Sequence, residues 1–209
     1  MKYDICPDIL VTSKSFGGGK SSISAYIARK NIYDRAYGSL AGAFLHTTTY
    51  NGFGEECATA IEAINIMIED DYCKKSVQIE NWMKPLLINL KDKHNKIIKD
   101  IRGTGCHYGI IFNSEYETFK CLIRLIPSSF FKDPLFLDKL IVTAVMDHMY
   151  RKNKIVMTLT ANDDVALLMS PSLIVEKEDV NDCITALDET LNNGIIALVS
   201  SLLKRKILG

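Results

Sequence analysis

Within Pro7-Asp8-Ile9-Leu10-Val11-Thr12-Ser13-Lys14-Ser15-Phe16-Gly17-Gly18-Gly19, an apolar, β-branched run carries one lysine to its C-terminal end and meets three glycines at once. The run reads as a strand, and the glycines let backbone and ligand approach closely. A lysine placed there suits a reactive amine. Residues 1 to about 30 therefore read as a strand, a glycine turn and a second strand around Ser24-Ala25-Tyr26-Ile27-Ala28.

The next stretch is polar and loop-like as far as the short apolar segment Leu40-Ala41-Gly42-Ala43-Phe44-Leu45. From Glu55 the period changes: Cys57, Ala60, Ile61, Ile64, Met67 and Ile68 fall at helical spacing and predict a long helix. Asp70-Asp71 breaks it, and a second amphipathic helix carrying Val77, Ile79, Trp82, Met83 and Leu86-Leu87 runs toward Leu90. The domain boundary is placed near residue 70. Beyond it, Ile101 to Phe112 predicts a strand entered through an Arg-Gly-Thr-Gly turn. Helices are predicted at Glu115 to Ile126 and Phe136 to Tyr150. Ile155 to Thr160 and Val165 to Met169 flank the turn-forming Ala161-Asn162-Asp163-Asp164 and read as an antiparallel hairpin. A last helix has Val180, Ile184, Leu187 and Leu191 on one side and Gly194 as its stop.

With 209 residues, 47% hydrophobic and 24% charged, the chain is large enough to bury a core and form one domain or one and a half. Lys+Arg and Asp+Glu balance at 25 each, so no basic field points to nucleic acid or an anionic membrane. The partner expected is a small molecule or another subunit. Cys6, Cys57, Cys73, Cys106, Cys121 and Cys183 form no CxxC pair and read as reduced thiols of a cytoplasmic protein. Apolar stretches such as Gly194 to Leu203 are too short, and too interrupted by serine, to span a bilayer.

Four groups of residues could carry chemistry. At a strand end with little water the neutral amine of Lys14 would be favoured and could attack an aldehyde; otherwise it is a lysine that reaches out to solvent. Gly17-Gly18-Gly19-Lys20-Ser21-Ser22 suggests a phosphate-binding P-loop, but the position that should hold the first glycine is Lys14, so nucleotide hydrolysis is disfavoured. His46-Thr47-Thr48-Thr49-Tyr50-Asn51-Gly52 stands just before the helix at Glu55, where hydroxyls and free N–H groups make an anion site or an ordinary helix cap. Arg102, beside Gly103-Thr104-Gly105, offers a planar fork to a carboxylate or pairs on the surface. The histidines at 46, 94, 107 and 148 share no ligand spacing, and no metal site is expected.

The lysine segment, taken with His46 to Gly52, Ile101-Arg102-Gly103-Thr104-Gly105 and Ser170-Pro171-Ser172-Leu173-Ile174, resembles the class-III, pyridoxal-phosphate-dependent aminotransferases in order and spacing. The resemblance spans nearly the whole chain. It implies an α/β fold: residues 1–70 as the C-terminal portion of a fold-type-I large, cofactor-binding domain, and 71–209 as the small domain. It implies transfer of an amino group between an amino acid or amine and a 2-oxo acid, with pyridoxal 5'-phosphate as cofactor. Lys14 would hold the cofactor as an imine and shuttle a proton, Thr48 and Thr49 would reach the cofactor phosphate of a neighbouring subunit, and Arg102 would hold a substrate carboxylate.

The resemblance also implies what is missing. Family members place an aspartate well upstream of the lysine, against the pyridine nitrogen. Asp4 and Asp8 stand too close to Lys14 to take that role. The chain is therefore expected to correspond to the C-terminal half of an aminotransferase. Its partner is either a second copy in a homodimer or a complementary N-terminal half; the rival reading is a catalytically incomplete remnant. Asn51, where the family usually has glycine, departs from the pattern.

Overall fold

The computed structural model describes residues 4–114, 133–160 and 163–208. The helix expected at Glu115 to Ile126 lies outside them, as do Ala161 and Asn162. The chain divides into two compact units, Met1–Tyr72 and Cys73–Gly209.

In unit 1, strand β1 (Ile9–Thr12) pairs antiparallel with β2 (Ala25–Ala28), Ile9 opposite Ala28 and Thr12 opposite Ala25. A 3-10 turn at Lys14–Gly17 and the glycines after it connect them. Strand β2, rather than a helix, follows Gly17 to Lys20, which removes the geometry a P-loop needs. Arg29, at the end of β2, ties down the entering chain through Asp8 at 2.9 Å and the Cys6 carbonyl at 3.0 Å.

Helix α1 (Lys30–Tyr37) occupies part of the stretch expected to be loop. Its sequence, KNIYDRAY, is polar on average and only eight residues long; Ile32, Tyr33, Ala36 and Tyr37 share one face, but none is buried, and the stripe is too short to stand out. Helix α2 (Gly54–Glu69) starts where the period changes and ends at Asp70. Only Ala60 of α2 is buried, and the apolar residues Ile61, Ile64, Ile66, Met67 and Ile68 are exposed.

Unit 2 holds the core. Helix α3 (Tyr72–Lys93), whose first residue closes unit 1, buries Ile79, Met83, Leu87 and Leu90 at i, i+4, i+8 and i+11, the period that lines one helical face. The sheet runs β3 (Ile98–Thr104), β4 (His107–Phe112), β6 (Ala166–Met169), β5 (Thr158–Leu159) in spatial order, every pair antiparallel. The segment expected to be one strand is thus a hairpin. Arg102 lies within β3, opposite Gly109, and the turn falls at Gly105 and Cys106. Gly105 has φ of +61° there, a conformation that glycine adopts without a Cβ penalty.

Helix α4 (Phe136–Asn153) lays Ile141, Val142, Val145 and Met149 into the core, and β5 and β6 form the antiparallel pair expected of them. Helix α5 (Lys177–Asn192) buries Val180, Ile184, Leu187 and Leu191. Gly194, with φ of +76°, ends it, but a further helix comes next: α6 (Ile195–Leu208) buries Ile195, Leu198, Val199 and Leu202. No helix among the described residues is long and apolar enough to cross a membrane.

Candidate cofactor site

Lys14 opens the 3-10 turn immediately beyond β1, with φ of +61°. A left-handed lysine is uncommon, because its Cβ crowds the backbone, and such residues gather at sites where the surrounding structure imposes the conformation. The turn itself supplies the constraint. Phe16 N–H donates to the Ser13 carbonyl at 3.2 Å and Gly18 N–H to the Ser15 carbonyl at 2.9 Å. The turn packs on α2 so closely that a Cβ at Gly18 would lie 3.2 Å from that of Ala63. The Lys14 side chain is exposed.

The threonine loop precedes α2 in the same unit. Helix α2 is capped by Phe53, which makes no side-chain capping bond, so the threonine hydroxyls are not used as the helix cap. Thr48 Oγ1 instead donates to Asn51 Oδ1 at 3.1 Å, and Asn51 Nδ2 donates to the His46 carbonyl at 3.3 Å. Asn51 thereby closes the loop on itself. The His46 ring stacks on Tyr26 of β2 at 4.9 Å and meets Tyr37 of α1 edge-on at 6.0 Å. A hydrogen bond with Tyr37 pushes the Tyr26 phenol up to about 12. Neither the aromatic anchor nor the Asn51 bridge follows from spacing in the sequence. Histidine and tyrosines separated by up to 20 positions carry no short-range signal.

Thr48 lines a cavity of about 740 Å³ within unit 1, with Phe16, Ser22, Ser24, Asn51 and Glu56. Lys14 and Thr49 are not among its lining residues. Glu55 and Glu56 occupy the first turn of α2, and Glu56 Oε2 is buried with no hydrogen-bond partner. These carboxylates complement the positive end of the helix and oppose an anion at the same place. Pyridoxal phosphate demands an amine for its aldehyde and O–H or N–H donors for its phosphate. Lys14 and the threonine hydroxyls match both ends in kind, and the two glutamates are the part of unit 1 that works against the phosphate.

Arg102 belongs to unit 2. Its Nε donates to Asp100 Oδ2 and its Nη1 to Asp164 Oδ2, each at 2.8 Å, and both partners raise its pKa. The fork that the resemblance assigns to a substrate carboxylate is therefore held by two carboxylates of the same chain. Nε and Nη1 are engaged, so a substrate carboxylate would take both arms of the fork by exchange, most directly with Asp164 from the β5–β6 connection. Lys91, at 2.9 Å, and Arg102 together hold Asp100 at about 2, well below the usual carboxylate range. Asp164 stands 62 positions from Arg102, and only the sheet order brings them together.

No three His, Cys, Asp or Glu residues among those described are grouped to hold a metal ion. Cys6, Cys57, Cys73, Cys106 and Cys183 are free thiols.

A family model described as aminotransferase class-III matches residues 1–191. An uncharacterized aminotransferase of Schizosaccharomyces pombe is 33% identical over 109 residues, 52% of this chain and 22% of that protein. The ornithine aminotransferase of Halalkalibacterium halodurans is 33% identical over 110 residues, 51% of this chain and 25% of its own length. Among solved structures, a transaminase from the marine bacterium Virgibacillus matches with a TM-score of 0.71 at 18% identity, covering 96% of this chain and 41% of that one. The chain thus spans about a quarter of these curated relatives and about two fifths of the solved chain.

Proposed function

We propose that this chain, which belongs to the class-III aminotransferase family, is the lysine-bearing C-terminal part of a transaminase that moves an amino group between an amino acid or amine and a 2-oxo acid. The observation that carries the reading is Lys14: one amine at the end of β1, held left-handed ahead of a glycine turn, in a chain whose family match runs through residues 1–191. Pyridoxal phosphate, when bound, supplies the electrophilic carbon that takes the amino group and a ring that withdraws electrons from it. Lys14 Nζ would hold that carbon until the substrate amine displaces it, and the freed Nζ would then remove the proton at the substrate Cα and return it.

The Thr49 hydroxyl donates to the phosphate across the interface of a homodimer, Thr48 joins it by exchanging its bond to Asn51, and both have to outweigh the charge of Glu55 and Glu56. Arg102 takes the substrate carboxylate by exchange with Asp164. A complementary N-terminal half, joined to this chain or separate, supplies the partner of the pyridine nitrogen. The free thiols support a reducing compartment, the cytoplasm.

The test is covalent. Borohydride reduction of the cofactor-loaded assembly, followed by peptide mapping, is expected to place pyridoxal on Nζ of Lys14. Label on Lys20 instead would overturn the assignment.

A further inference from the structure

We propose that unit 2 carries a second binding site, for an organic ammonium ion with an apolar body, in the cavity bounded by the end of α4, the exit of β6 and α5. The cavity measures about 420 Å³, inside the range of roughly 300–1,000 Å³ typical of small-molecule pockets. Met83, Ile155, Met157, Leu168, Met169 and Val175 form its apolar walls. Three of these are methionines, whose flexible thioethers adapt to a ligand and pack well against aromatic rings.

One polar atom in this wall is unsatisfied. Asn153, the last residue of α4, lines the cavity, and its Oδ1 is shielded from solvent with no hydrogen-bond partner. A buried acceptor left unpaired is costly, so a ligand that donates a hydrogen bond there relieves the cost. The sign of the ligand's charge follows from the rest of the lining. Asp179 and Asp182 of α5 contribute carboxylates that form no ion pair among the described residues, and no lysine or arginine lines the cavity. Burial pushes the Cys183 thiol beside them up, so it stays protonated and marks a wall with little water. A donor that is also a cation satisfies the asparagine and the carboxylates together, and its apolar body covers the methionine wall. The cavity shares no residue with the Lys14 and Thr48 region and does not depend on the aminotransferase reading.

The probe is N,N-dimethyl-2-phenylethylammonium, a tertiary amine that carries one N–H and cannot form an imine with a cofactor aldehyde. Calorimetric titration of the full chain is expected to show saturable one-to-one binding, weakened at least tenfold in Asn153→Leu and in the double variant Asp179→Asn/Asp182→Asn. Neutral N,N-dimethyl-2-phenylacetamide, of similar shape but without a donor, is expected to bind at least tenfold more weakly. The aspartates are exposed, so the double variant keeps the fold and reads the charge requirement even where Asn153→Leu does not fold. Absence of binding by the ammonium probe, equal affinity for the neutral amide, or an unchanged affinity in the double variant would each overturn the proposal.

Discussion

Thr48 and Thr49 are neighbours whose hydroxyls are committed differently. Thr48 Oγ1 is spent on Asn51, whereas the Thr49 hydroxyl makes no hydrogen bond among the described residues and is open to a ligand. Thr49→Val should therefore weaken cofactor binding by about 1.5–3 kcal/mol, the range for a hydrogen bond to a charged group, which is more than tenfold in the dissociation constant. An unchanged constant in the intact assembly would remove Thr49 from the site. Arg102 calls for a different measurement, because its fork is already engaged. Arg102→Lys keeps the charge but loses the planar geometry, so carboxylated substrates should suffer a large fall in kcat/KM while amines without the carboxylate change little. Equal losses would make the Asp100–Arg102–Asp164 set a purely structural ion-pair network. Asp100 adds a dependence on pH. Its folded-state pKa lies below the unfolded value of about 3.9, so its contribution to stability is complete above that value and drains away as the pH falls toward about 2. Denaturation of Asp100→Asn beside the unsubstituted chain should show a stability difference that narrows across that window; a difference constant from pH 5 to pH 2 would mean that the charge of Asp100 contributes nothing.

Among the elements, the β3–β4 hairpin is the most tightly specified. A Cβ at Gly103 would meet the His107 carbonyl oxygen at 2.2 Å and the Tyr108 Cα at 2.6 Å, both backbone atoms that cannot rotate away. Glu80 of α3 secures the turn by accepting from Thr104 Oγ1 at 3.1 Å and from Gly105 N–H at 2.8 Å. Gly103→Ala should cost about 1–3 kcal/mol of stability, the usual range for overpacking, or more because the clash is with backbone; urea denaturation with no change in midpoint would show that the hairpin yields. This hairpin also shows how far a sequence can be read. Gly103 and Gly105 look alike as turn formers, yet one is demanded by close strand approach and the other by a positive φ, so a single strand is inferred where the backbone folds back. Helices α2, α3 and α5 were legible because their apolar residues recur along one face, and α4 because its apolar run from Phe136 to Met146, broken only by Asp138, Lys139 and Thr143, is longer than a strand. Helix α1 has such a face only over Ile32, Tyr33, Ala36 and Tyr37, too few residues to stand out. Helix α6 hides behind Gly194, which does end α5 but does not prevent a new helix from starting at the next residue. Lys14 and the threonine loop could be singled out because local chemistry marks them, whereas the Asp164 partner of Arg102 and the orphaned oxygen of Glu56 exist only once distant segments have packed.

Across the whole molecule the two units are unequally equipped. Helices α3 to α6 and the four-stranded sheet share one continuous core in unit 2, with Met83, Ile110, Val145, Leu167, Leu187 and Val199 fully buried. Unit 1 buries a single apolar side chain among its described residues, that of Ala60, and exposes Ile9, Leu10, Val11, Ile27, Ile61 and Ile68. Among the described residues, both strands of its sheet have a free edge, since β1 and β2 pair only with each other. Burial of apolar area is the main term that offsets chain entropy, so unit 1 has little to hold it by itself. Hydrogen exchange on the isolated chain should therefore protect amides of α3, α4 and β4 strongly and those of β1, β2 and α2 weakly. This imbalance bears on function, because Lys14 and both threonines lie in the weakly held unit. The isolated chain should show little or no amino transfer with added pyridoxal phosphate. Supplying the N-terminal half, as a separate polypeptide or joined in one chain, should raise protection of β1 and α2 and bring activity with it. Strong protection of β1 in the isolated chain, or robust turnover by that chain as a monodisperse species, would show that unit 1 is complete as it stands and that the pyridine nitrogen needs no partner from elsewhere.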